Sequence, residues 1–165
     1  MTMQITFFDE PLETVGTPVE VGETFPAFEV TNSKGESVKS SDLVKGLTLV
    51  SVVPDINTSV CSLQTKHFNQ EVDNFDGVSF YTISTNTVED QKNWCAAEGV
   101  EKMELLSDAD FNFGKSANLL IPDKNIDQRS VWILDENGKV LYRELLVEQT
   151  HEPNYDKALD FLKNL

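Results

Sequence analysis

The sequence predicts an α/β fold, with a central mixed β-sheet flanked by helices and an N-terminal β-hairpin. Residues 47–53 form a continuous apolar, β-branched run, which is typical of a strand buried on both faces. Strand-like segments alternate with segments whose apolar residues recur at helical spacing, which favours a sheet covered by helices. The pair Asn137-Gly138 lies between two apolar runs and predicts a hairpin late in the chain.

A small hairpin is predicted within residues 1–16, ahead of the main fold. Residues 3–8 and 12–15 alternate in polarity, and the break between them lies at residues 9–11, Asp-Glu-Pro. The main sheet is then predicted from five segments: 28–31, 47–53, 78–84, 130–134 and 139–146.

Three helices are predicted between or after these strands. The first follows Cys61, the second begins at the capping pattern Thr87 to Asp90 and ends at Gly99, and the third follows Pro153. The apolar stripes are Leu63, Phe68, Val72 and Phe75 for the first helix and Tyr155, Leu159 and Leu162 for the last. This order of strands and helices predicts a thioredoxin-like α/β sandwich.

Length and charge limit the classes of function. At 165 residues the chain fits one domain, taken as residues 1–165. Its 28 acidic residues outnumber 13 basic ones, and a net charge of −15 makes nucleic acid and anionic membranes poor partners. The sequence holds no apolar run long enough to span a membrane and no secretory pattern, so we expect a cytoplasmic protein.

Cys61 and Cys95 are the two cysteines of the chain. In a reducing cytoplasm a purely structural disulfide is unusual, which favours free, metal-binding or redox roles. The cysteines and the two histidines, His67 and His151, lack the short paired spacing of a zinc site, so neither a metal nor a cofactor is expected. We interpret both histidines as solvated or packing residues.

The loop after the strand at 47–53 is the candidate site, because open α/β sheets place their chemistry at the carboxyl ends of strands. Thr58 or Ser59 is a natural N-cap, which puts Cys61 in the first turn of the following helix. The unpaired N–H groups and the helix dipole there favour a thiolate over a thiol, and Pro54 can shield the sulfur from water. A lone cysteine near a helix start is more often a small buried apolar residue, and the Pro-x₃-Thr-x₂-Cys spacing argues against that interpretation here.

A reactive thiolate also needs donors that stabilise the charge developing in its transition state. The Thr58 hydroxyl, the first-turn N–H groups and an arginine are the candidates. Of the two arginines, Arg129 opens the interior strand at 130–134 and is favoured. Arg143 stands beside Glu144 on the outgoing hairpin strand and is interpreted as a solvated edge residue.

The pattern Pro54-x₃-Thr58-x₂-Cys61 resembles the active-site signature of the peroxiredoxins. Three further segments are similar to the thiol peroxidase branch of the atypical two-cysteine peroxiredoxins: 93–99, 129–138 and 152–155. The resemblance spans essentially the whole chain, including the N-terminal hairpin.

The resemblance implies that Cys61 is the peroxidatic cysteine and Cys95 the resolving one, with Pro54, Thr58 and Arg129 shaping the pocket. It also implies a thioredoxin fold, a homodimer, thioredoxin as electron donor, and hydrogen peroxide and alkyl hydroperoxides as substrates in antioxidant defence. We expect a Cys61 sulfenic acid and then a Cys61–Cys95 disulfide, whose short Cα separation requires local unwinding of one or both helices.

Two departures from the family pattern lie near the site. Asp55 and Asn57 stand where the family usually has Ser and Asp, and a carboxylate at Asp55 would oppose thiolate formation if it pointed inward. Residues 115–127 lack the family's usual Tyr-Gly pair, which leaves the substrate preference open.

Three other functions stay open on the residues alone. A thioredoxin-like disulfide reductase would need Cys-x-x-Cys, and residues 62–64 offer no second thiol. A one-cysteine peroxiredoxin would use Cys61 and leave Cys95 structural. A redox sensor or binding module would use the same two cysteines as a switch and form a lasting complex with a partner.

Overall fold

The computed structural model describes residues 2–165. The strands, in chain order, are β1 (Gln4–Phe7), β2 (Glu10–Glu13), β3 (Glu29–Thr31), β4 (Ser37–Lys39), β5 (Thr48–Val52), β6 (Ser79–Ser84), β7 (Glu104–Ser107), β8 (Leu120–Ile121), β9 (Ile126–Asp127), β10 (Ser130–Leu134) and β11 (Val140–Leu145). The helices are α1 (Ser40–Leu43), α2 (Ser59–Glu71), α3 (Val88–Glu98), α4 (Asn112–Ser116) and α5 (Tyr155–Lys163), with a 3₁₀ turn at Val72–Asn74. Within residues 2–165, no helix is long and apolar enough to cross a membrane.

Seven strands form the central sheet, in the order β11-β10-β5-β6-β7-β3-β4. β5, β6 and β7 run parallel to one another, whereas β10 is antiparallel to β5 and β3 is antiparallel to β7. The predicted mixed sheet is therefore confirmed. Every residue of β5 and of β10 is buried, as expected for strands covered on both faces.

The two faces of the sheet bury separate apolar clusters. One cluster contains Phe68 of α2, Trp94 of α3 and Leu159 of α5, and the fully buried Cys61 belongs to it. The other contains Phe113 of α4. Cys95 is partly buried and packs against the first cluster, so both cysteines lie on the same side of the sheet.

Strand register brings the predicted site together at one edge of the sheet. β5 ends at Val52, and β10 begins opposite it, because Ser130 pairs with Val52. Arg129, which precedes Ser130, therefore lies beside the loop that leads from β5 to α2. This relationship depends on antiparallel pairing of β10 with β5, which no local pattern specifies.

The N-terminal hairpin is confirmed, but its predicted break is wrong. The turn consists of Phe8 and Asp9, both at positive φ (49° and 65°), and Glu10 and Pro11 already belong to β2. Proline is tolerated there because Thr6, which lies opposite Pro11, directs its own N–H and C=O to residues 147 and 149, so β1 needs no N–H from Pro11. The hairpin docks on a later segment through the bond from Thr6 N to Val147 O (2.8 Å).

The predicted helices all form, although the apolar stripe of the first is partly wrong. The Thr87 hydroxyl accepts a hydrogen bond from Asp90 N (3.2 Å) at the start of α3, and Gly99 ends it at φ 69°. On α2, Leu63 is 50% exposed, and the buried face instead carries Gln64. A buried polar side chain at that position has a function in the site described below.

Several short elements were not predicted: β4, α1, β7, α4, β8 and β9. Each has two to five residues, too few for a period of 2.0 or 3.6 to be recognised. The most consequential is β7, a parallel strand in the interior of the sheet.

Candidate active site

Cys61 lies at the third position of α2, in the first turn as predicted, and its side chain is fully buried. Thr58 is the N-cap residue, with extended backbone angles. The Cys61 sulfur accepts hydrogen bonds from Arg129 Nη2 (3.2 Å) and from Asp55 N (3.4 Å). A cationic donor and a backbone N–H are thus both directed at one sulfur, and charge-assisted hydrogen bonds of this kind are the strong ones in proteins.

Arg129 is held in place by three further hydrogen bonds. Its Nε donates to Gln149 O (2.8 Å), its Nη1 to Gln64 Oε1 (3.0 Å), and its backbone N to Gln149 Oε1 (2.6 Å). The side chain is 2% exposed, so the guanidinium acts in a medium of low dielectric constant. The predicted choice of Arg129 as the arginine beside Cys61 matches this geometry.

The two glutamines were missed at the level of the sequence. Gln64 is fully buried and also donates to Ser51 Oγ (2.8 Å), which ties α2 to strand β5. Gln149 is 1% exposed and lies in a loop. A signal existed for Gln64, since it follows Cys61 by three positions and so shares a helix face with it. No local pattern marks Gln149.

An open pocket of about 330 Å³ leads to this site. Pro54 and Thr58 line it, together with Arg129. The Thr58 hydroxyl donates to Asp55 O (2.8 Å) and so closes the loop, and is not directed at the reacting sulfur as the predicted donor would be. The outer wall is largely apolar and consists of Phe7, Phe8, Val60 and Ile126, with Lys124 at the rim.

The Asp55 carboxylate binds the loop and not the sulfur. Its Oδ1 accepts hydrogen bonds from Asn57 N (3.0 Å) and from Asn86 Nδ2 (2.9 Å). Asn86 Oδ1 in turn accepts from Ile56 N (2.8 Å). The Asp55 side chain therefore ties the loop together, with Asn57 contributing only its backbone N–H, and it is the backbone N–H of Asp55 that contacts Cys61.

Arg143 is not the solvated edge residue that was predicted. Its guanidinium donates to Val19 O (2.6 Å) and Pro18 O (3.4 Å), and it lies 3.8 Å from the Glu20 carboxylate. Strand β11 is at the sheet edge, but the segment before β3 runs beside it, since Gly22 N donates to Val140 O (2.8 Å) and Val140 N donates to Glu23 O (2.9 Å). This arginine has no part in the Cys61 site.

Cys95 is half-buried on α3, where it packs against the first apolar cluster and lines a second open groove of about 330 Å³, beside Lys92 and Met103. Burial raises the pKa of its thiol. Both cysteines are free, and each lies in a continuous helix, α2 for Cys61 and α3 for Cys95. The structure is thus that of the reduced protein.

The histidines lie outside the site, as interpreted from the sequence. His67 stacks on the ring of Tyr155 with centroids 4.0 Å apart, and His151 is exposed.

The AhpC/TSA family model matches residues 21–143 of the chain. A thiol peroxidase of Bacillus subtilis (strain 168) is 40% identical over 163 residues, which cover 98% of this chain and 98% of that protein. A thiol peroxidase of Listeria innocua (serovar 6a) is 39% identical over 161 residues, covering 97% of this chain and 98% of that protein.

Solved structures agree with the predicted thioredoxin-like fold and confirm it. A peroxiredoxin-like protein from Aquifex aeolicus matches with a TM-score of 0.91 at 27% identity, over 99% of this chain and 98% of that chain. A thiol peroxidase from Chromobacterium violaceum matches with a TM-score of 0.88, over 98% of this chain and 96% of that chain. The latter is 16% identical, so this likeness concerns the fold alone.

Proposed function

This chain belongs to the AhpC/TSA family and is a peroxiredoxin-type, thiol-dependent peroxidase, and we propose that Cys61 is the residue that reduces hydrogen peroxide and alkyl hydroperoxides. The observation that carries this assignment is the pair of donors on its sulfur, Arg129 Nη2 at 3.2 Å and Asp55 N at 3.4 Å. They lie at the inner end of a pocket that Pro54 and Thr58 line.

In the first step the Cys61 thiolate attacks the distal oxygen of the hydroperoxide. An S–O bond forms and the O–O bond breaks, which gives a cysteine sulfenic acid, and the other oxygen leaves as water or as an alcohol after taking up a proton. Negative charge moves from the sulfur onto the leaving oxygen during this step. Arg129 is positioned to stabilise that charge, because its guanidinium is fixed by Gln64 and Gln149 before the peroxide arrives.

In the second step Cys95 condenses with the sulfenic acid, releasing water and forming the Cys61–Cys95 disulfide. A disulfide requires Cα atoms within about 4.4–6.8 Å. Cys61 is fully buried in the first turn of α2, and Cys95 lies within the continuous helix α3, so we expect one or both helices to unwind locally. Two electrons from a dithiol reductant, thioredoxin by resemblance to the family, then restore both thiols and the helices.

The cellular setting is part of the same proposal. A cytoplasmic location suits the cycle because thioredoxin keeps thiols reduced in that compartment. A homodimer is proposed on the family resemblance.

The test is to count free thiols and measure the exact mass before and after one equivalent of hydroperoxide. We expect two thiols to fall to none in a chain of monomer mass that is lighter by about two protons. The Cys95→Ser variant serves as the matched control, and its Cys61 is expected to gain one oxygen. A parent chain that gains oxygen while Cys95 stays free would contradict the resolving function and favour a one-cysteine peroxidase. No reaction at all would contradict the function of Cys61.

A further inference from the structure

A pair of buried carboxyl groups lies just upstream of Arg129 and takes no part in the cycle described above. Asp127 is fully buried and Asp108 is 1% exposed. The two carboxyl groups meet at Gly114, whose N–H donates to Asp108 Oδ2 (2.9 Å) and which lies directly against the Asp127 carboxyl group. Two ionised carboxylates cannot hydrogen bond, because neither has a donor. A single proton held between two adjacent buried carboxyl groups would supply that donor and remove the repulsion between two negative charges.

The surroundings decide which carboxyl keeps the proton. Asp108 accepts two backbone hydrogen bonds at the start of α4, from Phe113 N (2.8 Å) and Gly114 N (2.9 Å), and such bonds favour the ionised form. Asp127 receives no N–H or O–H from residues 2–165 at either oxygen. Burial, followed by the hydrogen bond and the charge of Asp108, raises the pKa of Asp127 well above its ordinary range.

The charged groups around the two carboxyl groups do not offset this rise in the pKa of Asp127. Asp110 adds negative charge near Asp108. Lys115 lies on α4 but is exposed, and among residues 2–165 neither carboxyl of the pair forms an ion pair with a basic side chain.

The position of Asp127 connects the pair to the active site. Asp127 ends β9, and two residues later the Arg129 guanidinium reaches Cys61. The intervening Gln128 is fixed through its backbone N to Leu119 O (2.8 Å). Asp127 fits tightly against α4, because a Cβ added at Gly114 would overlap the Asp127 carboxyl group. The approach of Arg129 to the sulfur is thus fixed on one side by this contact of β9 with α4.

We propose that Asp127 keeps its proton at neutral pH, donates it in a hydrogen bond to Asp108, and so acts as a positioning residue for Arg129. The positioning of Arg129 for catalysis rests on the proposed function, whereas the protonation of Asp127 does not. Loss of this proton places two negative charges in a buried site and separates β9 from α4. The arrangement of Arg129 therefore depends on pH.

The first test is an infrared difference spectrum at pH 7 of the parent protein against Asp127→Asn. We expect the carbonyl band of a protonated carboxyl in the parent and its loss in Asp127→Asn. The exposed Asp123→Asn variant in the neighbouring loop is the matched control and keeps the band. Absence of the band from the parent, or its survival in Asp127→Asn, would overturn the proposal.

Urea unfolding as a function of pH gives a second readout that does not require peroxidase activity. A carboxyl whose folded pKa is raised stabilises the fold less as the pH rises from the ordinary aspartate range to the raised value. We expect the folding equilibrium constant of the parent, relative to Asp127→Asn, to fall about tenfold per pH unit in that window. Parallel curves for the two proteins would contradict the proposal.

The rate of Cys61 oxidation tests the link to Arg129. Asp127→Ala is expected to lower the rate constant between about tenfold and a hundredfold, through misplacement of Arg129. Asp127→Asn still donates to Asp108 and is expected to recover most of that loss. Equal rates for Asp127→Ala and the parent would overturn the positioning function. An inactive parent that shows the infrared band would instead contradict the proposed peroxidase function and support the assignment of the proton.

Discussion

The Arg129 guanidinium lies 3.2 Å from the Cys61 sulfur, although 68 positions separate the two residues in the chain. Both side chains are buried, with exposed fractions of 2% and 0%. Removal of a cation held in this way would leave a thiolate buried without a partner, because no water can replace the cation in a buried site.

Replacement of Arg129 by Met is expected to slow peroxide reduction about 10²–10³-fold, the usual cost of removing a preorganised donor to developing charge. Arg129→Lys keeps the charge but cannot make the same three side-chain bonds to Gln149 O, Gln64 Oε1 and Cys61 Sγ, so a large loss remains. Stopped-flow measurement of Cys61 oxidation gives the rate constants. Arg143→Lys is the control and is expected to retain the parent rate. A rate within threefold of the parent for Arg129→Met would exclude a direct function of the guanidinium.

Gln64→Leu is expected to impair both stability and rate. It removes the acceptor of Arg129 Nη1 and the donor to Ser51 Oγ, and it leaves these buried groups unpaired. The free energy of unfolding should fall by about 1–3 kcal/mol, as for other buried polar groups that lose a partner. Urea unfolding and the peroxide rate constant are the measurements. Gln70→Leu, an exposed position on the same helix, should change neither quantity, and equal effects at the two positions would contradict the network.

Local sequence patterns predicted much of the fold, because each of the longer strands and helices is marked by residues that are close together in the chain. The run at β5, the Thr87 cap and Gly99 each follow from a few adjacent residues. The hydrogen-bond network of the site does not, since Arg129 reaches Gln64 and Cys61 only after β10 has paired with β5. Arg143 was misjudged for the same reason: its carbonyl partners come from the other end of the chain, around residue 19.

Cys95 should react slowly with alkylating agents at neutral pH. Burial raises the pKa of its thiol, so a smaller fraction is thiolate at pH 7 than in an ordinary cysteine. In the Cys61→Ser variant we expect the rate of iodoacetamide labelling to rise about tenfold per pH unit, with a midpoint above that of the same chain unfolded in urea. The unfolded chain is an internal control because it carries the same cysteine. Coincident profiles for the folded and unfolded chains would contradict this prediction.

Glu148 fastens the N-terminal hairpin to the loop that positions Arg129. Its carboxylate accepts hydrogen bonds from the hydroxyl and the backbone N (2.7 Å) of Thr150, from Thr6 Oγ1 (2.8 Å) and from Asp9 N (2.8 Å). Burial raises the pKa of Glu148, but these hydrogen bonds outweigh it and lower the pKa to about 2. Because the folded pKa is depressed, the stabilisation is present above the ordinary glutamate range and is lost as the pH falls through about 2.

Glu148→Gln should therefore lower the melting temperature at pH 7 by about 2–4 °C, which corresponds to about 1 kcal/mol in a chain of this size. This magnitude already allows for solvent screening of a partly exposed carboxylate. The difference from the parent should shrink as the pH is lowered from 4.5 toward about 2, where the parent glutamate also becomes neutral. Thermal unfolding followed by circular dichroism measures both quantities. Glu29→Gln, at an exposed site on β3, is the control, and a difference for Glu148→Gln that persists at pH 2 would count against the titration.

Gly114 is required because its neighbours leave no space for a side chain, and not because its backbone angles demand glycine. A Cβ at this position would overlap the Asp127 carboxyl group and would come within 3.0 Å of Leu120 Cβ. Asp127 is buried on all sides and has no room to move, so Gly114→Ala should lower the free energy of unfolding by about 1–3 kcal/mol, the usual range for overpacking. Gly46→Ala is the matched control, because nothing lies within 4 Å of an added Cβ there, and it should stay within about 0.5 kcal/mol of the parent.

The double variant Gly114→Ala/Asp127→Ala separates the clash from other effects of the new methyl group. Truncation of Asp127 vacates the space that the alanine needs, so the double variant should be less destabilised than the sum of its two single variants. Urea unfolding of the four proteins in this cycle gives the coupling directly. If Gly114→Ala cost the same with and without the Asp127 carboxyl, the overlap would lie with Leu120, and the tight contact between β9 and α4 on which Arg129 depends would be wrong.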